Sequence, residues 1–154
     1  MQHVRVTTTD VGFDLDPTPY TELLPAILPQ LPPGAAAFAG DDQHYRFHTD
    51  HCVKDLKLTG IDFDEMDSMS VVLNFAWRFG APTTLSISYS EVHAFTIETG
   101  QGYAGGGRFW SLGELLLDEI LPQSTGSSHE MEFTAGRVHI ASGDLTAVWQ
   151  PSQH

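Results

Sequence analysis

Val71-Val72-Leu73-Asn74-Phe75-Ala76-Trp77-Arg78-Phe79 carries large apolar side chains at positions 71, 73, 75, 77 and 79, at strict two-residue spacing. Successive side chains of a strand point to opposite faces, so this period puts five large groups on one side of an extended segment. It predicts the centre of a β core. Gly80-Ala81-Pro82 predicts a turn, after which Leu85, Ile87 and Tyr89 resume the alternation, and an extended pattern runs on through Val92, Phe95 and Ile97. Upstream, residues 53–63 (VKDLKLTGIDF) read as a strand bent at Gly60, with a turn at 64–68. Tyr45 and Phe47 alternate with polar residues and carry the extended reading back to His44. A β-meander is expected.

Val4 and Val6 predict a first strand over residues 2–8, followed by a polar segment at 10–18. Thr18-Pro19 offers an N-cap and a first-turn proline to a short helix at 20–28, which Pro25 limits to about two turns. Residues 29–40 (PQLPPGAAAFAG) read as an irregular connection, and 154 residues without repeats fit one domain, 1–154. Ser111-x-x-Glu114 has capping-box spacing, and Leu112, Leu115, Leu116 and Ile120 fall on one helical stripe. Residues 112–121 therefore predict a helix stopped by Pro122. Residues 130–134, 137–141 and 145–149, separated at Gly136 and Gly143, predict three final strands paired as antiparallel neighbours. The expected fold class is α+β, mostly β: an antiparallel meander of about six to eight strands, curved or doubled into a sandwich, with one helix from the C-terminal half packed on it.

Hydrophobic residues make up 41% of the chain, which excludes the composition of a disordered protein. Cys52 is the single cysteine, so no intramolecular disulfide forms, and a lone thiol suits a reducing compartment. The first ten residues alternate like a strand and lack the form of a signal peptide. No apolar run approaches the ~20 residues that span a bilayer. A cytoplasmic protein is expected, with no membrane. Twenty acidic against seven basic side chains give a net charge of −13, which repels phosphate backbones and disfavours nucleic acid. The same charge supports solubility and attracts a basic protein partner.

The densest run of reactive groups is residues 41–52, with Asp55 beyond it. On a regular strand His44, His48 and Asp50 would share a face, so a divalent metal could be held there, with His51 adjacent and His93, His129 or His139 completing the set. A polar strand face opposite Tyr45 and Phe47 accounts for the same pattern. His51 and Cys52 are neighbours on the chain and would point to opposite faces, which argues against a thiol nucleophile. No HExxH, Cys-x-x-Cys, EF-hand or GxSxG motif is present.

Residues 100–105 (GQGYAG) match GxGxxG, but three further residues precede Phe109, so the motif does not open a helix as a dinucleotide site requires. A mobile loop is expected, with Tyr103, Arg108 and Trp110 as candidate contacts for a partner. Asp50, Asp55, Asp62, Asp64 and Glu65 are the acidic candidates, beside Asp67, Asp118 and Glu119. Their spacing marks no acid/base pair.

Residues 49–56 (TDHCVKDL), lying between an aromatic segment and a long strand that leads to Val72-Leu73-Asn74-Phe75, resemble small bacterial strand-rich proteins with a Phe-His-Asp-x-x-Val type segment. That group includes immunity proteins of polymorphic toxin systems. Thr49 stands here where those proteins have the histidine, and Phe47-His48 lies one residue upstream. The resemblance extends over the last two-thirds of the chain and implies binding rather than catalysis, without assigning functional residues. The function expected is thus a cytoplasmic, immunity-like binding protein that neutralises a basic partner through an acidic surface and needs no cofactor. The alternative is a metal-dependent or small-molecule-processing enzyme built on His44, His48, Asp50 and His51, and a scaffold role or a homodimer is compatible with the apolar 71–79 strand.

Overall fold

The computed structural model describes residues 1–77, 83–104 and 107–151, with side chains for all of these except 102–104, 107 and 108. The stretch at Val71 forms β4 (Ser70–Trp77), flanked by β3 (Leu56–Asp64) and β5 (Thr83–Ser90) in an antiparallel meander. Val71, Leu73 and Phe75 are at most 1% exposed, as are Leu85, Ile87 and Tyr89 opposite them. Each such burial contributes roughly 1.5–3 kcal/mol. Phe79 and the Gly80-Ala81-Pro82 turn lie outside the described residues. The bend expected at Gly60 is a register shift between Leu58 and Gly60.

Two further strands, β1 (Arg5–Thr9) and β2 (Gly12–Asp16), make an N-terminal hairpin. The chain continues through α1 (Thr18–Ile27), a single 3-10 turn (Leu28–Gln30) and α2 (Pro33–Ala39). After β5 come β6 (Ala94–Ala104), β7 (Gly107–Ser111), β8 (Leu115–Gln123), β9 (Gly126–Phe133), β10 (Gly136–Ser142) and β11 (Asp144–Pro151). One sheet has the order β11-β5-β4-β3 and the other β7-β6-β10-β9-β8. Every strand of the five-stranded sheet is nested in sequence between β5 and β11. Buried side chains of both sheets and both helices form one core.

Several expectations are corrected. Residues 112–121 are not a helix: Leu115–Gln123 is strand β8, and all six residues from Leu115 to Ile120 are buried. A strand covered on both faces reads as a continuous apolar run, which short-range periodicity does not separate from a buried helix. The Ser111 hydroxyl accepts the Gly113 N–H in a local turn instead of capping a helix. The segment read as irregular contains α2, favoured by its alanines and by Pro33 in the first turn. The polar segment at 10–18 contains β2, and the glycine-rich stretch is the paired β6–β7 hairpin, not an open loop. The described residues form nine strands in two sheets plus the hairpin, more than the six to eight expected.

The final three strands have the expected positions, but only β9 and β10 pair. Gly143 carries the chain out of one sheet, and β11 pairs with β5 in the other. The Gly143 N–H donates to Ser90 O at 2.9 Å, fixing the crossing. Immediately after it, the Asp144 carboxylate accepts the Gly34 and Ala35 N–H groups at 3.1 and 2.9 Å, seating the start of α2 on β11. A Cβ at Gly34 would lie 1.8 Å from Leu145 O, so only glycine permits this approach.

Strand β8 is the edge of its sheet, and an unpaired edge exposes backbone groups that must be satisfied. Side chains do this here. The Tyr20 hydroxyl donates to Ile120 O at 2.6 Å and accepts Ile120 N–H at 3.1 Å, while Tyr45 donates to Asp118 O at 3.1 Å. Asp55 N–H completes the edge on Leu115 O at 2.8 Å.

Candidate functional site

The metal hypothesis needs His44, His48, Asp50 and His51 on a common strand, and that strand does not form. Residues 41–55 fold as successive turns, with His48 and Asp55 at φ 69° and 71°. His44 turns inward and is fully buried, whereas His48 and Asp50 are exposed. His51 turns to Asp41, with Nδ1 3.1 Å from Oδ2, and stacks on Trp149 at 5.3 Å between ring centres. Burial acts to raise the Asp41 carboxyl, but the Gln43 N–H and His51 outweigh it and hold the group below its ordinary value. Among the described residues no group of three or more His, Cys, Asp or Glu converges to hold a metal. Cys52 is buried, and burial raises its thiol pKa, which suppresses the reactive thiolate.

His44 instead joins a polar chain through the core. Its Nε2 lies 2.7 Å from Asp118 Oδ1 and its Nδ1 lies 3.0 Å from Phe38 O. The other carboxylate oxygen, Asp118 Oδ2, lies 2.7 Å from His129 Nε2, and His129 Nδ1 lies 2.7 Å from the Tyr89 hydroxyl. Both His44 nitrogens face acceptors, Phe38 O and the Asp118 carboxylate, while His129 sits between the Asp118 carboxylate at Nε2 and the Tyr89 hydroxyl at Nδ1. Burial alone would raise the Asp118 carboxyl. The adjacent His44 and His129 overcome that and hold it well below the usual carboxylate range. Burial raises the Tyr89 phenol, which keeps it a donor. All four side chains are at most 1% exposed, so no substrate reaches them and the chain positions loop and sheets.

Neighbouring Glu119 faces the opposite side of β8. Its carboxylate accepts the backbone N–H groups of Gln2, His3 and Val4 at 2.7, 2.6 and 2.7 Å. The Met1 amine meets Glu130 beside it. The N-terminal segment is therefore held by carboxylates of β8 and β9.

A cleft of about 350 Å³ lies beneath the β1–β2 hairpin. Phe13 and Leu15 alternate on β2 to form one wall, with Trp77 from the end of β4 and Leu116 from β8 as further apolar lining. Polar groups come from the turns: Lys54, Asp55, Glu114 and Thr134. The Lys54 ammonium binds both Asp55 oxygens at 2.7 Å. Thr134 Oγ1 accepts Glu114 N–H at 3.2 Å and donates to its Oε2 at 3.4 Å, and Lys57 stands 3.6 Å from Glu114 Oε1.

The remaining candidates lie on the surface. Asp62, Asp64 and Glu65 are exposed at the β3–β4 turn, around Phe63 and Met66, which are 56% and 89% exposed. Phe63 meets Phe95 of β6 edge to face at 5.5 Å. Trp110 on β7 is 70% exposed. Tyr103 and Arg108 are register partners in the β6–β7 hairpin, and their side chains lie outside the described residues. Asp55 and Asp64 stand at opposite ends of β3, roughly 25–30 Å apart along an extended strand, so the acidic candidates do not form one patch. The cleft residues Phe13, Leu15, Trp77, Leu116 and Thr134 carry no local motif. Asp118 and Glu119 did leave a signal, since two carboxylates inside LLLDEIL must find partners if that run is buried.

No protein-family model, curated protein or solved structure matches the chain. No helix among the described residues is long and apolar enough to cross a membrane.

Proposed function

We propose that this chain is a binding protein, immunity-like in action, that neutralises a basic protein partner through the acid-rimmed apolar tip of the β3–β4 turn. The observation that carries this reading is the juxtaposition of exposed Phe63 and Met66 with Asp62, Asp64 and Glu65. Protein interfaces combine an apolar centre with a polar rim, and the rim charges speed encounter with a partner of opposite sign. The net charge of −13 adds long-range attraction for a basic surface. Asp50 and Trp110 are exposed and available to a large partner. The enzyme alternative loses support because His44 is enclosed and the His44–Asp55 cluster does not converge.

The test is a pull-down from the native source at low and high ionic strength, run beside a D62N/D64N/E65Q variant. A basic protein retained at low salt, released at high salt and lost with the variant supports the proposal. Recovery of no basic partner, or equal recovery by the variant, overturns it.

A further inference from the structure

We infer that β7 is a self-association edge, where two copies of the chain pair antiparallel about a two-fold axis at Phe109 and join their five-stranded sheets into one. Four strands bound the two large sheets, and three of these edges are blunted against further pairing. Strand β8 is closed by Tyr20, Tyr45 and Asp55. On β11, Asp144 seats the start of α2, and β3 carries a register shift between Leu58 and Gly60 with Lys57, Asp62 and Asp64 along it. Strand β7 has β6 on one side and, among the described residues, no strand on the other. Its consecutive residues Phe109 and Trp110 are 44% and 70% exposed, and neighbours on a strand point to opposite faces, so this edge is apolar and open on both faces. The apolar stretch from Val71 to Trp77 offers no such edge, because β4 lies between β3 and β5.

The sequence of β7 selects a second copy as the occupant. Pairing about Phe109 sets Gly107 across from Ser111, Arg108 across from Trp110 and Phe109 across from itself. An aromatic pair at the axis and a cation opposite an indole on either side of it are favourable combinations for directly opposed strand residues, and the two-fold makes the off-axis contact twice. Charge agrees with this choice. Between Glu98 and Glu114 there is no acidic side chain, so two chains of net charge −13 meet here without opposing carboxylates in the paired strands. An edge built for a basic partner would not carry an arginine as its only charge. Phe63 stands against Phe95 at the far end of β6, so the pairing does not draw on the acidic tip.

Light scattering on the full chain measures mass against concentration. The expected result is a rise toward twice the mass of one chain, with a stronger dimer at high ionic strength, because salt screens the repulsion between two acidic chains. A basic partner responds to salt in the opposite sense, so failure of the dimer and failure of the partner proposal are distinguishable. Phe109→Asp and Phe109→Lys each place like charges directly opposite one another at the axis, on a half-exposed residue, and each should weaken the dimer about tenfold or more. Mixing the two variants should restore association, since aspartate then faces lysine. A chain that keeps the monomer mass at every concentration, a dimer unaffected by both substitutions, or a mixture no more associated than its components would overturn the inference.

Discussion

Asp118 on β8 and His129 on β9 meet diagonally across neighbouring strands, Oδ2 to Nε2 at 2.7 Å, because His129 is the register partner of Ile120, two residues beyond Asp118. The remaining Asp118 oxygen reaches His44 in the 41–55 turns, and His129 reaches Tyr89 in the opposite sheet. One carboxylate thus ties three parts of the fold together. Removing one member of a buried charged set leaves the others unpaired, at a cost of about 3–5 kcal/mol. Asp118→Asn should therefore lower Tm by about 10 °C, at 2–4 °C per kcal/mol for a domain of this size. Thermal denaturation followed by circular dichroism measures it, and an unchanged Tm would refute the role assigned to the carboxylate.

The same group sets a pH dependence. Asp118 is depressed in the folded protein, while the unfolded chain takes up its proton at the ordinary value of about 3.9. Between those values the unfolded state binds more protons, so its contribution is complete above about pH 5 and is lost as pH falls through the folded value. Urea midpoints measured between pH 6 and pH 3 should decline on acidification, and less steeply in Asp118→Asn. Parallel slopes would assign the decline to other carboxylates.

Glu119 holds three consecutive backbone N–H groups at the N-terminus. Glu119→Gln keeps the shape but removes the charge that strengthens these bonds, each worth about 1.5–3 kcal/mol when charge-assisted. Amides of Gln2, His3 and Val4 should exchange with solvent at least tenfold faster, with little change at Leu73 or Phe75. Uniform acceleration throughout the chain would indicate global destabilisation instead.

Gly34 lets α2 approach the backbone of β11. Gly34→Ala places a methyl group against Leu145 O and should cost about 1–3 kcal/mol by overpacking, despite the better helix propensity of alanine. Chemical denaturation gives the value. A stabilised variant would show that α2 shifts without penalty.

Much of the β framework was legible in the sequence because alternation survives where one face is buried: Val71, Leu73 and Phe75, then Leu85, Ile87 and Tyr89, all point inward as read. The reading failed where burial was two-sided or supplied by distant residues. Strand β8 hides both faces, so its leucines imitate a helical stripe, and the hairpin strand β2 is polar because its outer face meets solvent. At the candidate sites, His44 drew attention as a ligand, yet its orientation depends on Asp118, 74 residues away, a pairing that no local spacing encodes. The acidic tip was visible as charge, but its exposed Phe63 and Met66 became meaningful only with their surroundings. The cleft draws on β2, the 54–55 turn, β4, β8 and the turn after β9, and therefore left no motif.

The nesting of one sheet between β5 and β11 has a kinetic consequence. All four pairings of the five-stranded sheet form within a single stretch of chain, whereas the β5–β11 pairing must close a loop that contains that entire sheet. Long-range closure pays its entropy before contacts repay it, and such pairings slow folding. Residues 94–142 should acquire protection as an early unit, with Asp144–Pro151 docking afterwards as a late strand. Pulse-labelled hydrogen exchange during refolding would resolve the two stages, and simultaneous protection would mean that the sheets form together.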